Sequence, residues 1–277
     1  MFAALGGNGR FREGGESWET NWIMDFTPEE KRIDSGFRGA RDDVGSGVVE
    51  LRRYDLRPGA RETLIELFER EFVETQEAVG ISVLGTFRDA DDPDCFVWLR
   101  GFADMTSRLD ALRAFYEGPV WARHKDAANA TMIDSDNVLL LRPLDKSSRL
   151  ALDSSLRPPR LAFRASAGAA AVTICPLEPA TAASFRSHFR SEIEPALRDA
   201  RANVRAKFVT EHSENNYPQL PVREGEEVFV WLSLFADERA RDEHLGRIDL
   251  HALTAGHLAA DAEMHRLQPT SRSLLPD

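Results

Sequence analysis

The stretch Phe96-Val97-Trp98-Leu99-Arg100-Gly101-Phe102-Ala103-Asp104 occurs twice. It returns as Phe229-Val230-Trp231-Leu232-Ser233-Leu234-Phe235-Ala236-Asp237, with only the two middle positions changed. Self-similarity over a whole strand length sets the unit of architecture before any single residue does. The surrounding chain keeps step with it. Pro58 and Pro179, Phe68 and Phe189, and Phe87 and Phe208 are each 121 residues apart, while Phe96 and Phe229 are 133 apart. Twelve residues have therefore been added between Thr210 and Glu226, where His212-Ser213-Glu214-Asn215-Asn216-Tyr217-Pro218 reads as a long polar loop.

Each copy carries the same order of elements. In the first, residues 48–56 alternate as a strand and stop at Arg57-Pro58-Gly59. A helix follows over about 60–79, with Leu64, Phe68 and Phe72 four apart and Gly80 at its C-terminal cap. Strands are expected at 81–88 and 96–102, joined by a polar turn. Asp104 or Thr106 then caps a helix that breaks at Gly118-Pro119, and a fourth strand runs through 138–142. This order, strand-helix-strand-strand-helix-strand, is the ferredoxin-like split βαβ unit. In the second copy Pro195 is expected to kink or split the first helix.

The division that follows is a Gly-rich leader at 1–47, a first unit at 48–145, a Ser/Pro/Arg-rich linker at 146–168 and a second unit at 169–277. The repeated strand is apolar on both faces, so both should be covered. Phe96, Trp98 and Phe102 point one way, Val97 and Leu99 the other. The helices of a split βαβ unit cover one face only. The expected fold is therefore α+β: two tandem ferredoxin-like units closing into an α/β-barrel within one chain, each Trp-bearing face hidden beneath its duplicate.

Composition narrows the function classes. With 35 basic against 46 acidic side chains and no basic cluster, nucleic acid and anionic membrane surfaces are poor partners. Two Cys, Cys95 and Cys175, make no disulfide framework and suit a reducing interior. No apolar run has the length of a membrane span and no signal region opens the chain, so the expected location is cytoplasmic. No His pair has helical metal-ligand spacing, so no metal is expected.

Val49-Glu50-Leu51-Arg52-Arg53-Tyr54-Asp55-Leu56-Arg57-Pro58-Gly59 resembles the opening strand of NIPSNAP-family domains, and Phe96 to Phe102 their central strand. Gly118-Pro119-Val120-Trp121 and the run from Asp134 to Pro143 resemble their closing part. The second unit departs from the pattern, with Ala171, Thr173 and Cys175 where the first has Glu50, Arg52 and Tyr54, and reads as a degenerate copy. The resemblance implies the dimeric α/β-barrel fold, which hosts cofactor-independent monooxygenases, small isomerases and haem proteins. It implies no settled reaction for the NIPSNAP branch.

Glu50, Arg52 and Tyr54 share one strand face. If Leu51 packs on helices, the trio looks into the barrel, where Trp98 and Arg100 on the neighbouring strand complete an aromatic and charged pocket for a planar, anionic or phenol-like ligand. The plain structural alternative is a buried Glu-Arg pair that fixes register. Tyr54 and His124 are the candidates for moving a proton if the chain is instead a cofactor-free oxygenase or isomerase, with Arg52 or Arg100 holding an oxyanion. His124 is also the candidate axial ligand should haem be bound; otherwise no cofactor is expected. A third class is a non-catalytic partner-binding scaffold. The assembly is expected to be a monomeric pseudo-dimer or a homodimer.

Overall fold

In a computed structural model, residues 45–160 and 167–275 are described. The leader assigned to 1–47 lies outside them, except for its last three residues. Eight strands, β1 (Val48–Leu56), β2 (Ser82–Asp89), β3 (Cys95–Phe102), β4 (Met132–Pro143), β5 (Ala169–Leu177), β6 (Asn203–Thr210), β7 (Glu227–Phe235) and β8 (Glu263–Pro269), pair antiparallel into a closed barrel. Its order is β1-β3-β2-β8-β5-β7-β6-β4. Strands of the first half and strands of the second meet at two equivalent seams. At one, Phe87, Arg88 and Asp89 face Pro269, Gln268 and Leu267. At the other, Leu141, Arg142 and Pro143 face Thr210, Val209 and Phe208. Closure leaves no free sheet edge, so the chain meets within itself a need that a single four-stranded sheet would have to meet elsewhere.

The helices α1 (Arg61–Leu67), α2 (Val73–Glu77), α3 (Met105–Tyr116) and α4 (Pro119–Asn129) follow strands of the first half. In the second half the helices are α5 (Ala182–His188), α6 (Glu194–Asp199), α7 (Glu238–Leu245) and α8 (Leu250–Thr254). Asp104 caps α3 by accepting from the Ser107 backbone N–H at 2.7 Å, and Asp237 caps α7 in the same way from Ala240. A single π-turn joins α1 to α2 at Phe68–Phe72 and another joins α5 to α6 at Phe189–Ile193. Pro195 is the second residue of α6, directly after that π-turn. Since the first half makes the same π-turn without a proline, Pro195 is not its cause.

The barrel interior corrects the expected arrangement of faces. Leu51, Val97, Leu99, Leu139 and Leu141 meet Val172, Ile174, Val230, Leu232 and Phe208 in one aliphatic core. Phe96, Trp98 and Phe102 pack instead beneath the first-half helices, with Phe68, Phe72, Leu112 and Phe115. Phe229 and Trp231 do the same with Phe185, Phe189 and Ile193. The two tryptophan faces are therefore on the outside of the barrel wall, each under its own helices, and do not touch. A narrow eight-stranded barrel has room for branched aliphatics but not for two opposed indoles. One cavity bordered by Leu51, Val97, Leu139, Val172 and Ile174, and also by Arg53, Asn137, Glu263 and His265, measures about 10 Å³, at most the room of one water. Leu150 from the linker and Leu275 near the C-terminus join the same core.

At the β2–β8 seam, His265 Nδ1 lies 3.1 Å from Asp89 Oδ2, and its Nε2 is 3.8 Å from Glu263. Burial alone would lower this imidazole's pKa, but Asp89 and Glu263 together raise it to about 9 against the opposing pull of Arg53.

Two measurements test this account. Ala170→Leu adds bulk to the filled interior and should cost about 1–3 kcal/mol in urea denaturation, whereas a hollow barrel would accept it freely. His265 titrates above its ordinary value of about 6.5. Its contribution should therefore be full below about pH 6.5 and disappear as the pH rises through about 9. The unfolding midpoint of the parent should fall over that window, and that of His265→Gln should change less.

Candidate functional site

With Leu51 committed to the interior, alternation turns Glu50, Arg52 and Tyr54 outward, toward helix α3. The structure brings the five expected residues together, but on the opposite side of the wall from the barrel lumen. Pairing of β1 with β3 sets Glu50 opposite Arg100 and Arg52 opposite Trp98. Arg108, from α3, completes the group.

All three guanidiniums converge on one carboxylate. Arg52 Nη1 and Arg100 Nε each donate to Glu50 Oε2 at 2.7 Å, and Arg108 Nε donates to Oε1 at 2.7 Å. Glu50, Arg100 and Arg108 have no exposed surface and Arg52 has 1%. Burial works to raise the Glu50 carboxyl pKa, yet Arg100, Arg52 and Arg108 hold it well below the usual carboxylate range. Burial draws the Arg108 pKa down, and Arg100 and Arg52 repel it further, despite Glu50. Three cations against one anion leave two positive charges in excess among the contacting residues described.

The aromatic surroundings spread that charge. The Arg100 guanidinium carbon stands 5.1 Å from the Trp98 ring centroid and 5.8 Å from that of Tyr116, and Arg52 stands 5.4 Å from Tyr54. The Tyr54 hydroxyl accepts from Arg52 Nε at 3.0 Å, and burial pushes its pKa up. Three buried donors of the cluster have no hydrogen-bond partner among the described residues: Trp98 Nε1, Arg108 Nη2 and Arg100 Nη2. The last is 2.7 Å from Glu50 Oε2, but its N–H bonds are directed elsewhere.

The loop between β6 and β7, which holds the twelve added residues, covers this cluster from the other half of the chain. Arg108 Nη1 donates to Asn215 Oδ1 at 3.1 Å and to Asn216 Oδ1 at 2.7 Å. Asn216 Nδ2 donates to the Met105 carbonyl, and Tyr217 stacks on Tyr116 with centroids 6.1 Å apart. The sequence did not place Arg108 or Tyr116 in the site, and marked the 210–226 loop as a long polar insertion without linking it to Glu50. Arg108 stands four residues before Leu112 on the buried stripe of α3, and that spacing was the signal for it. Nothing local in the sequence links residues 215–217 to Glu50.

His124 does not join the cluster. Its Nε2 lies 3.7 Å from Glu71 and its ring packs edge-on to Phe72. One trio of metal-ligand type occurs among the described residues, Asp55, Asp92 and Cys95. Arg53 already bridges both carboxylates, and burial pushes the Cys95 thiol up to about 12. No helix among the described residues is long and apolar enough to cross a membrane.

Residues 49–148 match the NIPSNAP family model. No curated protein matches the chain in sequence. Among solved structures, a candidate monooxygenase from Fusobacterium nucleatum is 12% identical, with a TM-score of 0.53 over 81% of this chain and 93% of that one. A candidate monooxygenase from Lactobacillus acidophilus is 11% identical, with a TM-score of 0.51 over 81% and 94%. An uncharacterized NIPSNAP-like domain protein from Burkholderia xenovorans is 24% identical over 40% of this chain and 89% of its own, with a TM-score of 0.32. The first two are alike in fold across both halves of the barrel. The chain thus matches the NIPSNAP family model over residues 49–148, a stretch built into a closed eight-stranded α/β-barrel.

Proposed function

We propose that this chain binds a small planar anion at the Glu50-Arg52-Arg100-Arg108 cluster, between the barrel wall and α3, and not in the barrel lumen. The observation that carries the reading is the imbalance of three buried guanidiniums on one carboxylate. Buried like charges repel strongly, and an arrangement of this kind is relieved by a second anion. Arg108 offers the fork geometry that a carboxylate takes with two parallel hydrogen bonds. In the structure two neutral amide oxygens, from Asn215 and Asn216, occupy its Nη1, and a tyrosine ring rests on Tyr116. These groups stand in for the oxygens and the flat body of a ligand. Entry requires the 211–226 loop to swing aside.

A second reading, a cofactor-independent monooxygenase or isomerase, draws on the fold shared with the two candidate monooxygenases. Tyr54 would then be the proton-handling group beside Arg52 and Trp98. Oxygen consumption with a panel of phenols and quinols, lost in Tyr54→Phe, would favour it over binding alone.

Titration calorimetry at low salt with benzoate tests the first reading. A charge-assisted hydrogen bond contributes about 1.5–3 kcal/mol, so Arg108→Gln should weaken benzoate by roughly ten-fold or more; equal affinity in parent and variant would remove the site. A stability measurement addresses the same imbalance. Glu50→Gln strips the cluster of its only negative charge and should cost about 3–5 kcal/mol. The parent carboxyl has a depressed pKa, so its contribution should be present above the ordinary value of about 4.3 and be lost as the pH falls below it. An acid titration of Glu50→Gln should lack that loss.

A further inference from the structure

The second half keeps the strand register of the first but not its long side chains. Ala171 lies opposite Ser233, and Thr173 opposite Trp231, where the first half sets Glu50 opposite Arg100 and Arg52 opposite Trp98. Helices α6 and α7 still roof the position. What the missing side-chain length leaves is a cavity of about 70 Å³, lined by Ala171, Thr173, Leu197, Trp231, Ser233 and His244 among others. Since one water needs roughly 10–15 Å³ on this measure, the room suits a molecule of about five to seven heavy atoms. Met264, on the cavity wall and 41% exposed, leads out to solvent.

Its polar groups are few and specific. Ser233 Oγ is buried without a hydrogen-bond partner among the described residues, in a side chain 2% exposed. His244, 3% exposed, has Nδ1 at 2.9 Å from the Ala200 carbonyl oxygen. A carbonyl only accepts, so Nδ1 carries the proton and Nε2 the lone pair. Burial keeps this ring below its ordinary pKa, hence neutral. Among the described residues, no Asp, Glu, Lys or Arg lines the cavity. Thr173 adds a second hydroxyl, and the rest of the wall is apolar, with Trp231, Leu197, Ile248 and Leu250 among it. Two hydroxyls, one imidazole acceptor and an apolar, partly aromatic enclosure form the usual constitution of a small-molecule site.

We infer that the second half holds a separate site for a small uncharged hydroxyl compound. The ligand hydroxyl donates to His244 Nε2 and accepts from Ser233 Oγ–H, and its carbon body lies against Trp231. This site differs in ligand class from the anion site of the first half and stands independently of it.

Phenol is the probe, titrated calorimetrically into the full chain, with toluene as the isostere lacking the hydroxyl. The parent should bind phenol saturably and at least five-fold more tightly than toluene. Ser233→Ala should cut that preference by roughly five- to ten-fold, the worth of one net hydrogen bond. Ala171→Leu, or the milder Ala171→Val, should fill the cavity and abolish or weaken phenol binding while the benzoate response is unchanged. The inference is overturned if the parent shows no saturable phenol binding, if toluene binds as tightly as phenol, or if both Ala171 variants bind phenol as the parent does. The comparison of phenol with toluene needs no variant, so a misfolded substitution leaves the test intact.

Discussion

A barrel wall buried on both sides must sort its side chains by shape, and everything else here depends on how that sorting falls. Successive residues of β1, β3, β5 and β7 alternate between a narrow lumen and a broader layer under helices. Compact branched residues make up most of the lumen, with Phe87 and Phe208 among them, while the indoles and arginine stems lie in the wider gap. Once Leu51, Val97 and Leu99 go inward, Glu50, Trp98 and Arg100 have to go outward, because the period of two permits nothing else. The position of the charged cluster is thus a consequence of filling the lumen with aliphatics.

Under the helices the two halves then solve the same space differently. The first fills it with Glu50, Arg52 and Arg100 and lets Arg108 close the group from α3. The second has Ala171, Thr173 and Ser233 there and keeps a cavity. The arginine of α3 does have a counterpart on α7, Arg241, which is buried but bonds the Leu267 carbonyl and Asp242 instead of a strand carboxylate. The shared frame, with its paired π-turns, aspartate caps and seams, is untouched by this difference. Scaffold and site contents vary separately.

Much of the scaffold was legible in the sequence because the repeat reports strand order, helix positions and the added loop without reference to packing. The five candidate residues Glu50, Arg52, Tyr54, Trp98 and Arg100 were legible as a group for a simple reason: they share one face of two neighbouring strands. Which face looked inward was not legible. Phe96-Val97-Trp98-Leu99 is apolar on both sides, and alternation fixes the two sets of residues without saying which set is enclosed. Arg108 was hidden by its charge, since a charged residue on a helix reads as exposed until its spacing from Leu112 is weighed. Asn215 and Asn216 were hidden by distance along the chain, more than a hundred residues from Arg108.

That loop has an evolutionary consequence. The cover of the first-half cluster is encoded in the second half, between β6 and β7, so neither half could be separated from the other and keep the cluster enclosed. In an assembly of identical subunits, any lengthening of this loop would appear at both clusters at once. Fusing both halves into one polypeptide frees each from that symmetry. One half can then specialise in holding charge while its neighbour supplies the covering strap and furnishes its own space differently.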